Sequence, residues 1–246
     1  MPERRTERTE RYDQSQLHGR VHGKYVHRDY AAHFFRWGFS HRFIDPTKRV
    51  LDIGCGQDVP LSYLLTASPG TRPLSYLGVD LNGNLKPAGA AWCSVMENFD
   101  FVSMGMTLAA PPLFDVIVCF EVIEHMGRTD GRVLLHNIAS VLAPGGDVLL
   151  STPVYDGVHH AKNHIHEYTI DELREDIHDA GKLQVIDRFG TFASWPTLKK
   201  VVTPMEQELM ETLARFYSWD VLACFLAPKY PDQSRNNVWH LRHIED

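Results

Sequence analysis

Two acids and two glycines, set at the ends of apolar runs, are the residues of this chain best suited to do chemistry. The stretch Arg49-Val50-Leu51-Asp52-Ile53-Gly54-Cys55-Gly56 carries an apolar run into an acid and two glycines, and Asp80 ends the next apolar run, Tyr76-Leu77-Gly78-Val79. A chain that leaves a buried strand for a helix turns sharply, and a side chain at position 54 or 56 would obstruct that turn. Bare backbone there can also touch a ligand. A carboxylate only accepts hydrogen bonds and takes two O–H donors at once, so Asp80 suits a pair of ribose hydroxyls. The plainer alternatives are a turn-stabilising acid at 52 and a strand-end loop acid at 80. The pattern reads as a nucleotide-type cofactor pocket. Its run, Gly54-Cys55-Gly56-Gln57-Asp58-Val59-Pro60, lacks the third glycine of the dinucleotide fingerprint and adds an acid where a diphosphate would sit. NAD and FAD are therefore disfavoured against a cofactor without phosphate, and S-adenosylmethionine fits.

Further chemistry-bearing residues fall in two later segments. Glu121, Glu124 and His125 follow the apolar run 114–120; Tyr155, His159, His160, His164 and His166 follow the run 146–152. His160 and His164 have the i, i+4 spacing of metal ligands, yet no H-E-x-x-H and no cysteine partner accompanies them, and Gly157 and Pro153 break the segment. A polar loop facing a substrate is preferred, with no metal expected. Tyr155, His164 and His166 are the candidates to border that substrate.

These residues need a scaffold, and the hydrophobic pattern supplies one. Strands are expected near 49–53, 75–80, 99–103, 114–120, 146–152 and 183–190, with helices including 129–142 and 169–180 between them. Thr169-Ile170-Asp171-Glu172 is a capping box that opens the second of these helices, and Pro144-Gly145-Gly146 ends the first. Aromatic residues at 30, 34 and 37 recur at helical spacing, so the segment 25–43 is read as one or two amphipathic helices before the first strand. Val238-Trp239-His240-Leu241-Arg242 alternates like a closing edge strand. The resulting fold class is α/β: a Rossmann-like, mostly parallel seven-stranded sheet with helices on both faces. A polar arm and helical cover occupy 1–45, and the main domain spans 46–246 with a helical insertion at about 191–237 before the last strand. In such a sheet, ligands gather outside the carboxyl ends of the strands, where both acid-bearing loops lie.

Four blocks in order resemble the class I S-adenosylmethionine-dependent methyltransferases. They are 50–56; Tyr76-Leu77-Gly78-Val79-Asp80; 114–126, which contains Glu121-Val122-Ile123-Glu124-His125-Met126; and Leu142-Ala143-Pro144-Gly145-Gly146 followed by 148–153. The resemblance spans roughly residues 49 to 190. It implies that Gly54 and Gly56 line the amino-acid and ribose portions of the cofactor, that Asp52 helps hold its ammonium end, and that Asp80 takes the ribose hydroxyls. The cofactor-binding set is then Asp52, Gly54, Cys55, Gly56, Asp80, Leu81, Asp100 and Glu121. For the adenine amino group, Asp100 and Ser103 both remain open; Met104 and Met106 are read as core residues rather than adenine neighbours. Methyl transfer needs mainly alignment of acceptor and methyl. A base helps where the acceptor loses a proton, and His125 is the candidate, because imidazole titrates near neutral pH. The plain alternative is a histidine bonded to backbone or capping a helix.

Composition narrows the class further. A chain of 246 residues, 43% hydrophobic, can bury a full core. No apolar run approaches the roughly 20 residues that cross a bilayer, and Met1-Pro2-Glu3-Arg4-Arg5 does not open a secretory signal, so a cytoplasmic protein without membrane partners is expected. Cys55, Cys93, Cys119 and Cys224 lack C-x-x-C pairing and read as small buried hydrophobes. The net charge of −6 hides a surplus of five basic charges in residues 1–50, but their signs alternate as in a solvated tail. No cysteine follows a proline, and Ala110-Pro111-Pro112-Leu113 lacks the acid and aromatic residue of base-amino methylation, so direct base methylation is disfavoured. A small-molecule or sugar-like acceptor, methylated on O or N, is the expected substrate. Nucleic-acid modification, a non-catalytic S-adenosylmethionine-binding module and a Rossmann oxidoreductase are the competing readings.

Overall fold

The computed structural model describes residues 17–21, 24–110, 113–158 and 160–244. Seven strands form one sheet: β3 (Arg49–Ile53), β4 (Ser75–Val79), β5 (Cys93–Met96), β6 (Phe114–Phe120), β7 (Leu142–Pro153), β8 (Leu183–Phe192) and β9 (Asn236–His243). Their order is β5-β4-β3-β6-β7-β9-β8, and the pairs β3–β4, β3–β6, β4–β5 and β6–β7 are parallel. The strand order reverses between β3 and β6. The crevice outside their carboxyl ends is therefore the expected ligand position.

Burial explains why these segments are strands. In β6, Val116, Ile117, Val118 and Cys119 are all buried, as required of a central parallel strand covered on both faces. Alternate residues serve opposite faces. Leu51, Ile53, Ile117 and Cys119 pack with Leu134, Leu135 and Ile138 of helix α4 (Arg128–Val141), whereas Val50, Val116 and Val118 pack with Leu61 and Leu65 of helix α2 (Pro60–Ala67). At the amino ends of β3 and β6, Asp115 accepts from Arg49 Nε at 2.8 Å and Nη2 at 2.9 Å, and also from its backbone N–H at 2.8 Å. This fork fixes the register of the two strands whose opposite ends form the crevice. Helix α5 (Ile170–Asp179) opens on the expected capping box, with Glu172 N–H donating to Thr169 Oγ1 and Thr169 N–H to Glu172 Oε2. Its buried Asp176 accepts from Arg128 and Arg132 of α4, which locks the two helices together.

Three expectations are corrected. The third strand is Cys93–Met96 rather than 99–103. Asn98 turns the chain at φ 53°, and Asp100 then caps helix α3 (Phe101–Met104), so Phe99 and Phe101 are buried at a helix start, not along a strand. Strand β9 is internal, between β7 and β8. Asn236 to Leu241 are buried on both faces, and Asp147 of β7 accepts from His240 at 2.7 Å and Arg242 at 2.8 Å. Finally, a hairpin of β1 (Leu17–Val21) and β2 (Lys24–His27) precedes helix α1 (Arg28–Ser40), so the segment from Tyr25 is strand before it is helix. The polar arm, read as residues 1 to about 14, lies outside the described residues.

The chain divides into two compact units, residues 1–35 with 189–236, and 36–188 with 237–246. The smaller unit contains helices α6 (Trp195–Leu198), α7 (Pro204–Leu213) and α8 (Trp219–Leu226). Within it Trp195 stacks on Trp219 at 4.6 Å, and Ala193, Leu198, Ala223 and Ala227 form its core. Glu206 accepts from Lys229 and the Tyr230 hydroxyl at 2.6 Å each; these partners hold its carboxyl down at about 2. Among the described residues no helix is long and apolar enough to cross a membrane.

Candidate active site

The glycine turn is stitched to the neighbouring strand. Gly54 and Cys55 N–H groups both donate to Val79 O, at 2.9 and 3.2 Å. Gly54 has φ 67° and Gly56 φ 73°, the left-handed region that side chains resist. The two glycines differ in what surrounds them. A Cβ on Gly54 would overlap Val122 Cγ2, whereas one on Gly56 would meet nothing within 4 Å. Position 54 is thus a packing requirement and position 56 an open face that a ligand can approach. Cys55 is buried, with Sγ packed over Gly78, so only its backbone can meet a ligand.

Asp80 is buried beside this turn. Its Oδ2 accepts from Gly56 N–H at 2.8 Å, and Oδ1 accepts from the N–H and the Nδ2 of Asn82 at 2.8 and 2.7 Å. A carboxylate has about four acceptor positions, so three protein donors leave about one. One further donor can be accepted, and a second if the Asn82 amide gives way. Leu81, 70% exposed, offers an apolar face next to it. Asp52 lies buried at the base of the turn and accepts from Tyr76 OH at 2.6 Å. Burial pushes its carboxyl up to about 7; the Tyr76 bond opposes this and the Asp80 charge adds to it. An acid so poised gains a charge when a cation is set against it, which suits an ammonium group.

The residues left open for adenine are bonded to each other. Asp100 accepts from Ser103 Oγ at 2.7 Å and from the N–H groups of Val102 and Ser103; the Ser103 hydroxyl does most to hold its carboxyl down. Met104, the last residue of α3, and Met106, in the 3-10 turn that follows it, both expected in the core, are 44% and 53% exposed.

At the carboxyl end of β6 the backbone is strained: Glu121 has φ 57°. Its N–H donates to Ser151 O at 2.9 Å, Ser151 Oγ donates to its Oε1 at 2.8 Å, and the buried Arg36 guanidinium lies 3.4 Å away. Glu124 follows in the 3-10 turn Ile123–His125 and is wholly buried. Thr152 Oγ1 donates to its Oε2 at 3.2 Å, while Oε1 has no partner. Burial, with the Glu121 charge adding, drives this carboxyl well above the usual range.

His125 Nδ1 lies 3.0 Å from Asn163 O, and His164 Nδ1 lies 2.7 Å from Glu167 Oε1. Both oxygens only accept, so each neutral imidazole carries its proton on Nδ1 and a lone pair on Nε2. The rings stand 5.1 Å apart, and burial lowers the basicity of His164. The Ile165 and His166 N–H groups donate to Glu124 O at 2.8 and 3.2 Å, which fastens the histidine loop to the β6 turn. Of the expected substrate residues, His164 joins His125. His166 instead packs its ring on Tyr168 at 4.5 Å, and Tyr155 is bound through its backbone to Tyr168 O. His159 lies outside the described residues.

Sequence reading did not select Asn82, Tyr76, Val122 or Ser151. Asn82, two residues beyond Asp80, has the local Asx spacing that could have flagged it; the others act through contacts distant in sequence. A cleft of about 410 Å³ is lined by Trp37, Asp58, Pro60, Tyr63, Leu64 and Lys86. It includes none of Gly54, Gly56, Asp80 and His125, and the strand-end geometry is the better guide to the chemistry.

Known proteins place this arrangement. The profile of a family described as a methyltransferase domain matches residues 24–187. The ubiquinone biosynthesis O-methyltransferase of Idiomarina loihiensis is 32% identical over 123 residues, 48% of this chain and 48% of that protein. The chain thus spans about half the length of the curated relatives it matches, or slightly less. An S-adenosylmethionine-dependent methyltransferase from Archaeoglobus fulgidus superposes with a TM-score of 0.57 at 16% identity, covering 87% of this chain and 94% of that one. The N-methyltransferase NodS from Bradyrhizobium japonicum WM9, in complex with S-adenosyl-L-homocysteine, gives 0.53 at 14% identity, covering 89% and 87%. At these identities the two structures bear on the fold alone. The profile match extends over most of the chain and includes the glycine turn, Asp80 and the Glu121–His125 segment; the chain belongs to the methyltransferase domain family.

Proposed function

We propose that the enzyme methylates a hydroxyl oxygen of a small molecule. The observation that carries this reading is the pair of imidazoles at the strand switch, each held with its Nε2 lone pair free of its own Nδ1 hydrogen bond. Bound S-adenosylmethionine supplies an electrophilic methyl group. What remains for the chain is to hold the acceptor and to remove one proton, and a hydroxyl, unlike a neutral amine, must lose its proton to become a good nucleophile. His125, the more exposed of the pair, is the base in this reading, with Asn163 O holding its tautomer. The relatives named O-methyltransferases support an oxygen acceptor.

The test is transfer of labelled methyl from S-adenosylmethionine to separate panels of phenols, sugars and amines, with tRNA and DNA alongside. Label is expected in O-methyl products. His125→Ala is expected to lower kcat by about 100-fold or more, the usual worth of a general base, while leaving S-adenosylhomocysteine affinity unchanged. Transfer to amines or nucleic acid without transfer to any hydroxyl would overturn the proposal.

A further inference from the structure

The histidine spacing first considered for a metal, His160 with His164, is not the grouping the fold makes. A carboxylate oxygen of Glu124 and one nitrogen from each of His125 and His164 lie within 4.8 Å of one another. We propose that Glu124, His125 and His164 hold a divalent transition-metal ion of the zinc or manganese kind.

Ligand atoms about 2.1 Å from a tetrahedral ion sit roughly 3.4 Å apart, so this trio closes on an ion by small side-chain adjustments. The supporting atoms are already in place. A ligating histidine ordinarily donates its other ring N–H to a carboxylate or a carbonyl. His164 Nδ1 does so to Glu167 Oε1 at 2.7 Å and His125 Nδ1 to Asn163 O at 3.0 Å, which directs both free lone pairs to Nε2. Glu167 is itself buried and fixed by the Ala161 N–H at 3.0 Å.

A separate observation points the same way. Glu124 is wholly buried, yet its Oε1 has no hydrogen-bond partner. A buried polar oxygen without a partner is costly even in the neutral acid, and a cation would take that place as the carboxyl gives up its proton. The other charges nearby are Glu121, which adds negative potential, and Arg36, which pairs with Glu121. Two imidazoles and one carboxylate, with no thiolate, match zinc, manganese or ferrous iron rather than a cysteine-bound structural zinc. Three protein ligands leave at least one position open.

In the open position the ion would bind the acceptor oxygen, a role that rests on the hydroxyl acceptor proposed above. The hydroxyl proton then passes to solvent and the oxygen's charge stays on the ion. In that form His125 acts as a ligand and the ion replaces it as the group that makes the hydroxyl acidic. The ion site itself does not depend on the acceptor.

The experiment uses the full chain, stripped with chelator and titrated calorimetrically with zinc chloride and manganese chloride, with metal content measured by plasma mass spectrometry. One ion per chain is expected, with micromolar affinity or tighter. His125→Ala and His164→Ala should each abolish tight uptake, Glu167→Gln should weaken it about 10- to 100-fold, and His160→Ala should leave it unchanged. Because Glu124 is buried, Glu124→Gln is read only if its thermal unfolding matches the parent; the exposed His125 keeps the test open otherwise. No uptake at high micromolar metal, or uptake surviving in the double histidine variant, overturns the site. Uptake with methyl transfer indifferent to chelator overturns the ion's role in catalysis and returns the proton to His125. Uptake with no hydroxyl methylated overturns the proposed acceptor and leaves the ion site standing.

Discussion

Asp52 supplies the sharpest test of how the cofactor end of the site works. Its carboxyl titrates at about 7 in the ligand-free protein, chiefly because it is buried. An ammonium brought to ion-pair distance, about 4 Å at an effective dielectric near 20, is worth about 4 kcal/mol, or about 3 pKa units. If Asp52 meets the cofactor's ammonium, binding therefore returns it to about 4 and expels its proton. At pH 7 about half the molecules hold that proton before binding, so about half a proton is released per ligand bound. S-Adenosylhomocysteine affinity is then expected to fall roughly 50-fold between pH 7 and pH 5. The assay is calorimetric titration in pairs of buffers with different ionisation heats, which counts released protons directly. The ligand's own α-amino group titrates near 8, above this window. Asp52→Asn should flatten the profile and abolish the release, which separates Asp52 from the histidines nearby. A parent profile already flat from pH 5 to pH 7, or one unchanged in the Asn variant, would refute the ammonium contact and leave Asp52 as an acid that stabilises the turn through Tyr76.

Two predictions concern stability. For ligand-free protein, the folded carboxyl of Asp52 at about 7 lies above its ordinary 3.8, so the native state binds a proton that the unfolded chain does not. Stability should therefore be greatest below about pH 4 on this account and decline as pH rises to about 7, by at most about 4 kcal/mol. Urea unfolding of the parent and Asp52→Asn across that range reads the difference; a slope identical in both proteins would remove Asp52 as its source. The second separates the two glycines. Gly56→Ala costs only the left-handed backbone, about 1–2 kcal/mol, and should weaken S-adenosylhomocysteine binding because its methyl projects into open space. Gly54→Ala adds overlap with Val122, a further 1–3 kcal/mol or so, so its melting temperature should fall clearly more. Equal melting of the two variants would contradict the packing assigned to Val122.

Strands β3, β4 and β6 were legible in the sequence because each is a short apolar run ended by glycine or an acid, and all three lie where burial on both faces leaves little ambiguity. Strand β5 was not. Its four residues alternate between half-buried and exposed at the edge of the sheet, whereas the more apolar Phe99 and Phe101 downstream are buried by a turn and a helix cap. Strand β9 was recognised as a strand but misjudged as an edge, because alternation in Val238–Arg242 counted His240 as a surface residue. Its imidazole is instead buried on Asp147, a contact 93 positions away. Polar residues neutralised by distant partners cannot be distinguished from exposed ones by periodicity.

The same limit explains what could be read of the site. Gly54, Gly56 and Asp80 stand at strand ends where local backbone geometry dictates residue type, so their spacing already carries their meaning. The Glu124–His125–His164 group has no such local signature. His164 follows His125 by 39 positions, and it arrives beside it because the Ile165 and His166 N–H groups find the carbonyl of Glu124, and because Glu167, buried below, takes its Nδ1. Two of those bonds are made by backbone groups, and the third by a glutamate only three residues from His164. Glu121 completes the arrangement at a cost in strain. A left-handed glutamate at the end of β6 turns the chain so that Ile123 and Glu124 face inward while His125 faces out, and Ser151 holds that turn at both the backbone and the carboxylate. Since strain at φ 57° persists only where surrounding bonds over-determine it, the paired Ser151 contacts hold the turn that sets Glu124 and His125 at the end of β6.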